Sequence, residues 1–233
     1  MILAPYLPDS LPYLTFLACL LGVAWRVARW WQAPAAPVSL FPVPPSPAAR
    51  CRRLAAEVCL LRGAHASDPW LWIGAWPLHV ALALLAVGHI RAFVDFPRLW
   101  QALGLTPADV DTLASVSGGA VGLVAVAACL YLLARRALVK RVREITRAED
   151  VLTLLVLLAV ILSGDLMRFG PRVDLPTVRA YFVALASLHP VPMPDVPGFA
   201  THFLLVQLLA LWAPWSKLMH MPGLFLAKAT LSR

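Results

Sequence analysis

Five stretches of the chain are apolar almost without interruption and are separated by polar connections, the pattern of helices that cross a lipid bilayer. Spanning about 30 Å of hydrocarbon takes about 20 residues of helix, with a range of about 17 to 25. Leu11–Trp31, Leu71–Val94, Ala114–Ala134, Val151–Met167 and Phe199–Lys217 meet that length. A sixth apolar piece, Ala180–Leu188, has nine residues, is bounded by Arg179 and by prolines, and predicts a helix lying at the interface. The expected fold is all-α: an integral membrane bundle of five transmembrane helices, with residues 1–233 forming one membrane domain.

The first connection, about Gln32 to Pro69, carries six prolines between Pro34 and Pro47. Proline lacks the backbone donor that a helix or central strand needs, so this part is expected to run extended. The following Ala49–Leu61 mixes Arg and Glu with apolar residues and reads as a helix. It suits a membrane surface, a cytoplasmic partner or a solvated connection. Gly118 and Gly119 predict close packing of the third span.

Composition narrows the class. Hydrophobic residues make up 61% and charged residues 14%, against about 25% charge in an ordinary soluble domain, so a soluble globular fold is excluded. The net charge of +8 comes from twenty basic and twelve acidic residues spread over separate connections, which does not form a nucleic-acid-binding face. Fifteen Lys and Arg fall on one side of the five spans and five on the other. The positive-inside rule then sets the N-terminus outside and the C-terminus in the cytoplasm. Asp9 and the absence of a preceding positive charge make the first span an anchor rather than a signal peptide. Cys19, Cys51, Cys59 and Cys129 form no CxxC pair; they suit neither a zinc site nor a disulfide framework, and they cannot hold an iron–sulfur cluster. Most tryptophans fall at span ends, as an interface belt.

Ionisable groups inside a membrane are costly and point to function. Four of the six histidines lie on two spans, His79 and His89 on the second, His202 and His220 on the fifth. Neutral imidazole is a good iron ligand, and facing helices of a bundle hold cofactors between them. The two spans run in opposite directions, so His79 is level with His220 towards the inside and His89 with His202 towards the outside. Two haems are predicted, one per pair. Ten residues rise about 15 Å and eighteen about 27 Å, so tilt and a kink at Pro214 have to absorb a mismatch of about 12 Å. On spacing alone, the same histidines serve equally to bridge helices or to line a proton or ion path. A transporter would show an internal repeat or paired broken helices, and the sequence shows neither. His65 and His189 read as surface residues.

Pro77–Ile90 (PLHVALALLAVGHI) and Thr201–Met221 (THFLLVQLLALWAPWSKLMHM) resemble the respiratory cytochrome b family that includes the gamma subunit of membrane nitrate reductase. The resemblance covers nearly the whole chain. It implies that two histidines ten apart on the second helix and two eighteen apart on the fifth, here His79, His89, His202 and His220, ligate two b haems. Asp68–His79, Gly88–Phe93, Ser163–Phe169 and Trp215–Thr230 are more similar to the branch associated with dissimilatory sulfite reductase. That branch implies electron transfer between membrane quinone, menaquinone or ubiquinone, and a cytoplasmic iron–sulfur partner of the heterodisulfide-reductase kind. Further subunits and a bacterial or archaeal cytoplasmic membrane are implied with it. A nitrate reductase gamma subunit and a haem-free membrane anchor are the alternatives. Arg91, Asp165 and Arg168, with Asp95 and His189 nearby, lie at the depth of a quinone pocket beside the outer haem, or else form ion pairs that close helix ends. Lys217 and Arg62 are candidates to neutralise haem propionates, to meet the partner, or simply to anchor the inner face.

Overall fold

The computed structural model describes residues 10–32, 46–170 and 174–224. Among them there is no strand, and ten α-helices carry the fold: α1 (Leu11–Trp31), α2 (Pro47–Leu60), α3 (Arg62–Ser67), α4 (Pro69–His89), α5 (Pro97–Ala102), α6 (Pro107–Leu138), α7 (Lys140–Ile145), α8 (Ala148–Phe169), α9 (Leu175–Ala186) and α10 (Phe199–Trp212). Four of them, α1, α4, α6 and α8, are long and apolar enough to cross a membrane, and the bent pair Phe199–Trp215 and Lys217–Leu224 passes the same test when taken together, so that counting it as one span gives five. The proline run from Pro34 to Pro45 lies outside the described residues. The predicted helix after it is α2, whose N-cap Ser46 accepts from the Ala49 amide.

The spans pack in the order α4, α6, α8, α10, α1. Helix α6 is the hub, and its buried face is made of small residues, Gly119, Gly122, Ala125, Ala128 and Cys129. Small side chains let helix backbones approach closely where lipid gives no hydrophobic drive to associate. A Cβ on Gly122 would collide with the Asp165 carboxylate of α8, and one on Gly119 would press on the Phe169 ring. Leu78 and Ala81 of α4 and Leu154, Leu157, Leu158 and Ile161 of α8 complete this core. Large apolar side chains such as Leu84, Leu123, Leu130 and Leu162 face outwards, as a bilayer requires.

At 32 residues, α6 is about 48 Å long and exceeds the hydrocarbon. This corrects the Ala114–Ala134 estimate, because polar flanks continue the helix at both ends. Thr106 and Asp109 cap its start reciprocally. At its far end Arg135 pairs with Asp68, the residue that also caps α4 through the Leu71 amide. The short apolar piece is α9. It begins at Leu175, earlier than predicted, so Arg179 lies within the helix rather than at its boundary. Its Val178 and Tyr181 are buried in an aromatic cluster with Phe182, Phe199 and Phe203.

The fifth span departs most from a straight rod. Helix α10 stops at Trp212, a 3-10 turn occupies Ala213–Trp215, and the Lys217–Leu224 segment leaves at 69°. Pro214 is buried at this break. Gly22 of α1 admits it, since a Cβ there would stand 2.8 Å from the Pro214 Cβ.

Candidate cofactor site

The break at Pro214 brings the four span histidines into two pairs. From His202 to Trp212 helix α10 runs ten residues, the same interval that separates His79 from His89 on α4. Both intervals rise about 15 Å. The remaining eight residues to His220 turn aside instead of continuing along the axis. The axial mismatch foreseen from the spacing is thus removed mostly by the break rather than by tilt.

His79 and His220 meet with their Nε2 atoms 3.4 Å apart and their rings nearly perpendicular, at 78°. His89 and His202 face each other almost in parallel, with ring centroids 6.1 Å apart and planes inclined by 19°. In all four histidines Nδ1 is tied down by protein. His79 Nδ1 donates to the Ala75 carbonyl at 2.7 Å and His89 Nδ1 to the Leu85 carbonyl at 2.6 Å, each one turn back in α4. His220 Nδ1 donates to the Lys217 carbonyl at 2.8 Å. His202 uses a side chain: Ser163 Oγ of α8 donates to the Val160 carbonyl at 2.9 Å and so accepts from His202 Nδ1, also at 2.9 Å. A carbonyl or hydroxyl on Nδ1 fixes the tautomer that leaves a lone pair on Nε2, which is how metal-binding histidines are oriented. Gly164, next to Ser163, makes room for the His202 ring, which a Cβ would approach to 3.2 Å.

The donor set would suit a metal held between two imidazoles. Two metal–imidazole bonds of about 2 Å each need Nε2 atoms about 4 Å apart, and the His79–His220 pair is within about half an ångström of that. Among the described residues no three His, Cys, Asp or Glu side chains converge as a metal cage. Two protein donors per level match an iron whose other four ligands come from a macrocycle, whereas a bare ion wants three or four protein groups.

The other predicted residues separate. Arg91 follows His89 in a 3-10 turn, pairs with Asp111 of α6 at 3.0 Å, and keeps its Nε and Nη1 buried without a partner. Arg179 of α9 bonds the Arg91 carbonyl and lies 3.7 Å from Asp95. The Asp95 carboxyl is held below the usual carboxylate range by the Trp100 indole, the Phe96 amide and the two arginines. Asp165 and Arg168 are on α8 and turn towards Gly122 and Gly118 of α6. Asp165 Oδ2 is buried and unbonded. Along α6 the positions met by Arg91, Arg168 and Asp165 are 111, 118 and 122, spacings that share one helical face. His189 bonds the Ser187 carbonyl of its own turn and His65 packs edge-on to Trp72, so both stay apart from the pairs as expected. Lys217 is committed to the buried Asp150 at 2.6 Å, which directs it to an ion pair within the bundle. Arg62 begins α3.

Sequence reasoning missed Ser163. It stands in a segment that carried the family resemblance, but its contact with His202, thirty-nine residues away, has no local signature. It also missed the Thr15–Gln207 hydrogen bond, 3.1 Å, that ties α1 to α10.

Residues 65–230 match the nitrate reductase gamma subunit family. The chain is 32% identical over 165 residues to the Hdr-like menaquinol oxidoreductase cytochrome b-like subunit of Archaeoglobus fulgidus, covering 67% of this chain and 48% of that protein. The same-named subunit of Archaeoglobus profundus is 29% identical over 70% of this chain and 50% of its own length. The chain therefore spans about half the length of these archaeal relatives. The nitrate reductase gamma chain of Bacillus subtilis is 27% identical over 68% of this chain and 75% of that protein. With the family matched over most of its length and its apolar helices stacked side by side, this multi-pass membrane chain belongs to the nitrate reductase gamma subunit family.

Proposed function

We propose that this chain is the dihaem b subunit of a quinone-linked respiratory complex. One haem is held by His79 and His220, the other by His89 and His202. The observation that carries the reading is that all four imidazoles have Nδ1 bonded to protein while their rings are set in two pairs, His79 with His220 and His89 with His202. When bound, the two haems supply one-electron transfer along the bundle. The chain's own part is to hold two imidazoles at each level, each with its Nδ1 fixed by a protein acceptor. The name of the archaeal relatives supports menaquinol as the electron donor. The buried, unbonded donors of Arg91 and acceptor of Asp165, with Arg168, support a quinone contact at the His89–His202 level. The basic-residue bias supports an N-out, C-in arrangement in a bacterial or archaeal cytoplasmic membrane. The His79–His220 end would then deliver electrons to a cytoplasmic iron–sulfur subunit of the heterodisulfide-reductase kind, as part of sulfur metabolism.

A second reading, the gamma subunit of a membrane nitrate reductase, is favoured by the more complete match to the Bacillus protein. Both readings share the haem sites. The test is a reduced-minus-oxidised spectrum with a pyridine haemochrome assay on the purified chain. Two b haems per chain are expected; none in a folded preparation would leave a membrane anchor whose histidines only bridge helices.

A further inference from the structure

Away from the histidines, the turn between α6 and α8 encloses a cleft of about 460 Å³ with two kinds of wall. Arg136, Arg143 and Arg147 line one part, and Leu133, Val151 and Leu155 line the other. No acid lines it. Among the described residues none of these arginines is in an ion pair, and Arg136 Nε is buried with no hydrogen-bond acceptor. The buried acid on this side, Asp150, is already engaged by Lys217 Nζ at 2.6 Å and by the Arg147 amide at 3.0 Å. Asp150 also lies within electrostatic reach of Arg136 and Arg143 donates to the Ala137 carbonyl at 3.5 Å, so one acid with its own lysine partner stands near three arginines and the cleft keeps a net positive charge. Leu138 and Ile145, next in sequence to the lining residues Ala137 and Thr146, are 80% and 76% exposed.

We infer that this cleft binds an anionic phospholipid, its phosphate among the three guanidiniums and an acyl chain along Leu133, Val151 and Leu155. Guanidinium groups suit phosphate oxygens because they offer paired donors in a fixed fork. Basic pockets between transmembrane helices, at headgroup depth, are where anionic lipids dock. Free phosphate shares the charge but not the chain, and the apolar wall has no use for it. Each arginine near the membrane surface is worth roughly fivefold in affinity for anionic lipid, so the three together account for roughly a hundredfold.

The test uses the full chain purified in detergent, incubated with equal amounts of dioleoylphosphatidylglycerol and dioleoylphosphatidylcholine, with retained lipid read by native mass spectrometry. Preferential retention of the glycerol lipid is expected. R136Q/R143Q/R147Q should abolish the preference, while R52Q/K140Q/R141Q, which removes equal charge outside the cleft, should keep it. Leu155→Trp leaves every charge in place but fills the apolar end, and should also weaken retention; it serves where the triple variant does not fold. Equal retention of both lipids, equal loss in the two triple variants, or full displacement by inorganic phosphate would each overturn the proposal.

Discussion

The two histidine pairs present the same donors on different frameworks. His89 and His202 sit on regular helix, with nearly parallel rings, and one of them is steered by a hydroxyl from a third helix, Ser163 of α8. His79 and His220 meet at 78°, and His220 stands beyond a helix break, steered by the backbone of its own turn. One site is therefore set by the packing of three spans. The other is set by where a single span stops. Ligand identity alone does not describe a site of this kind; the element that sets each ligand's height and angle decides what can disturb it.

Substituting the ligands should break the comparison most completely. His89→Ala or His202→Ala is expected to remove one haem, and His79→Ala or His220→Ala the other, so that haemochrome content falls from about two to about one per chain in every case. A variant pair drawn from different levels should lose both. Unchanged haem content in all four single variants would refute the assignment.

The next effect separates the frameworks. Pro214→Ala relieves the obstacle to continuing α10, because proline in a helix interior removes a hydrogen bond and clashes with the preceding turn. A straighter span carries His220 away from His79, so that haem is expected to drop several-fold in occupancy while the His89–His202 haem stays; separate redox titration of the two spectral components reads this. Ser163→Ala acts in the opposite sense. It leaves His202 Nδ1 without its acceptor, and loss of such an orienting partner typically weakens a metal site by about 10- to 100-fold. Only the His89–His202 component should change, and Ser163→Thr, which keeps the hydroxyl, should restore it.

The smallest effect concerns the end of α4 before His79. Asp68 caps this helix and pairs with Arg135, and the Leu71 amide together with the arginine holds its carboxyl below the usual range. A lowered carboxylate pKa adds stability that is complete above the ordinary value and is lost as pH falls through the lowered one. Asp68→Asn should therefore lower the melting temperature by a few degrees at about pH 6, and the difference from the parent chain should shrink towards about pH 3. A difference that grows with acid would reverse this account.

How much of this was legible in the sequence depended on the range of the interaction. Hydrophobic runs located the spans to within a few residues, since lipid imposes one length on every helix. The third span was drawn too short because Asp109, Asp111, Arg135 and Arg136 are polar yet helical, and a hydropathy reading stops where the helix does not. Pro214 announced a kink, but its 69° bend depends on Gly22 of another helix, which no local pattern reveals. The pairing of the histidines followed from counting residues and alternating direction. The roles of Ser163 and of Lys217 did not, because each rests on a partner many residues distant. The three quinone candidates were chosen by depth, and depth does not give the contacts of Asp165 and Arg168 with Gly122 and Gly118 of α6.

The break in the fifth span also bears on the order in which the molecule is made. The His89–His202 level is complete once α4, α8 and α10 have docked, whereas the other level waits for the chain beyond Trp212 to emerge and fold back against α1. Under the proposed dihaem assignment, a nascent bundle would acquire its two haems in sequence, the first bracing the helices while the last turn closes.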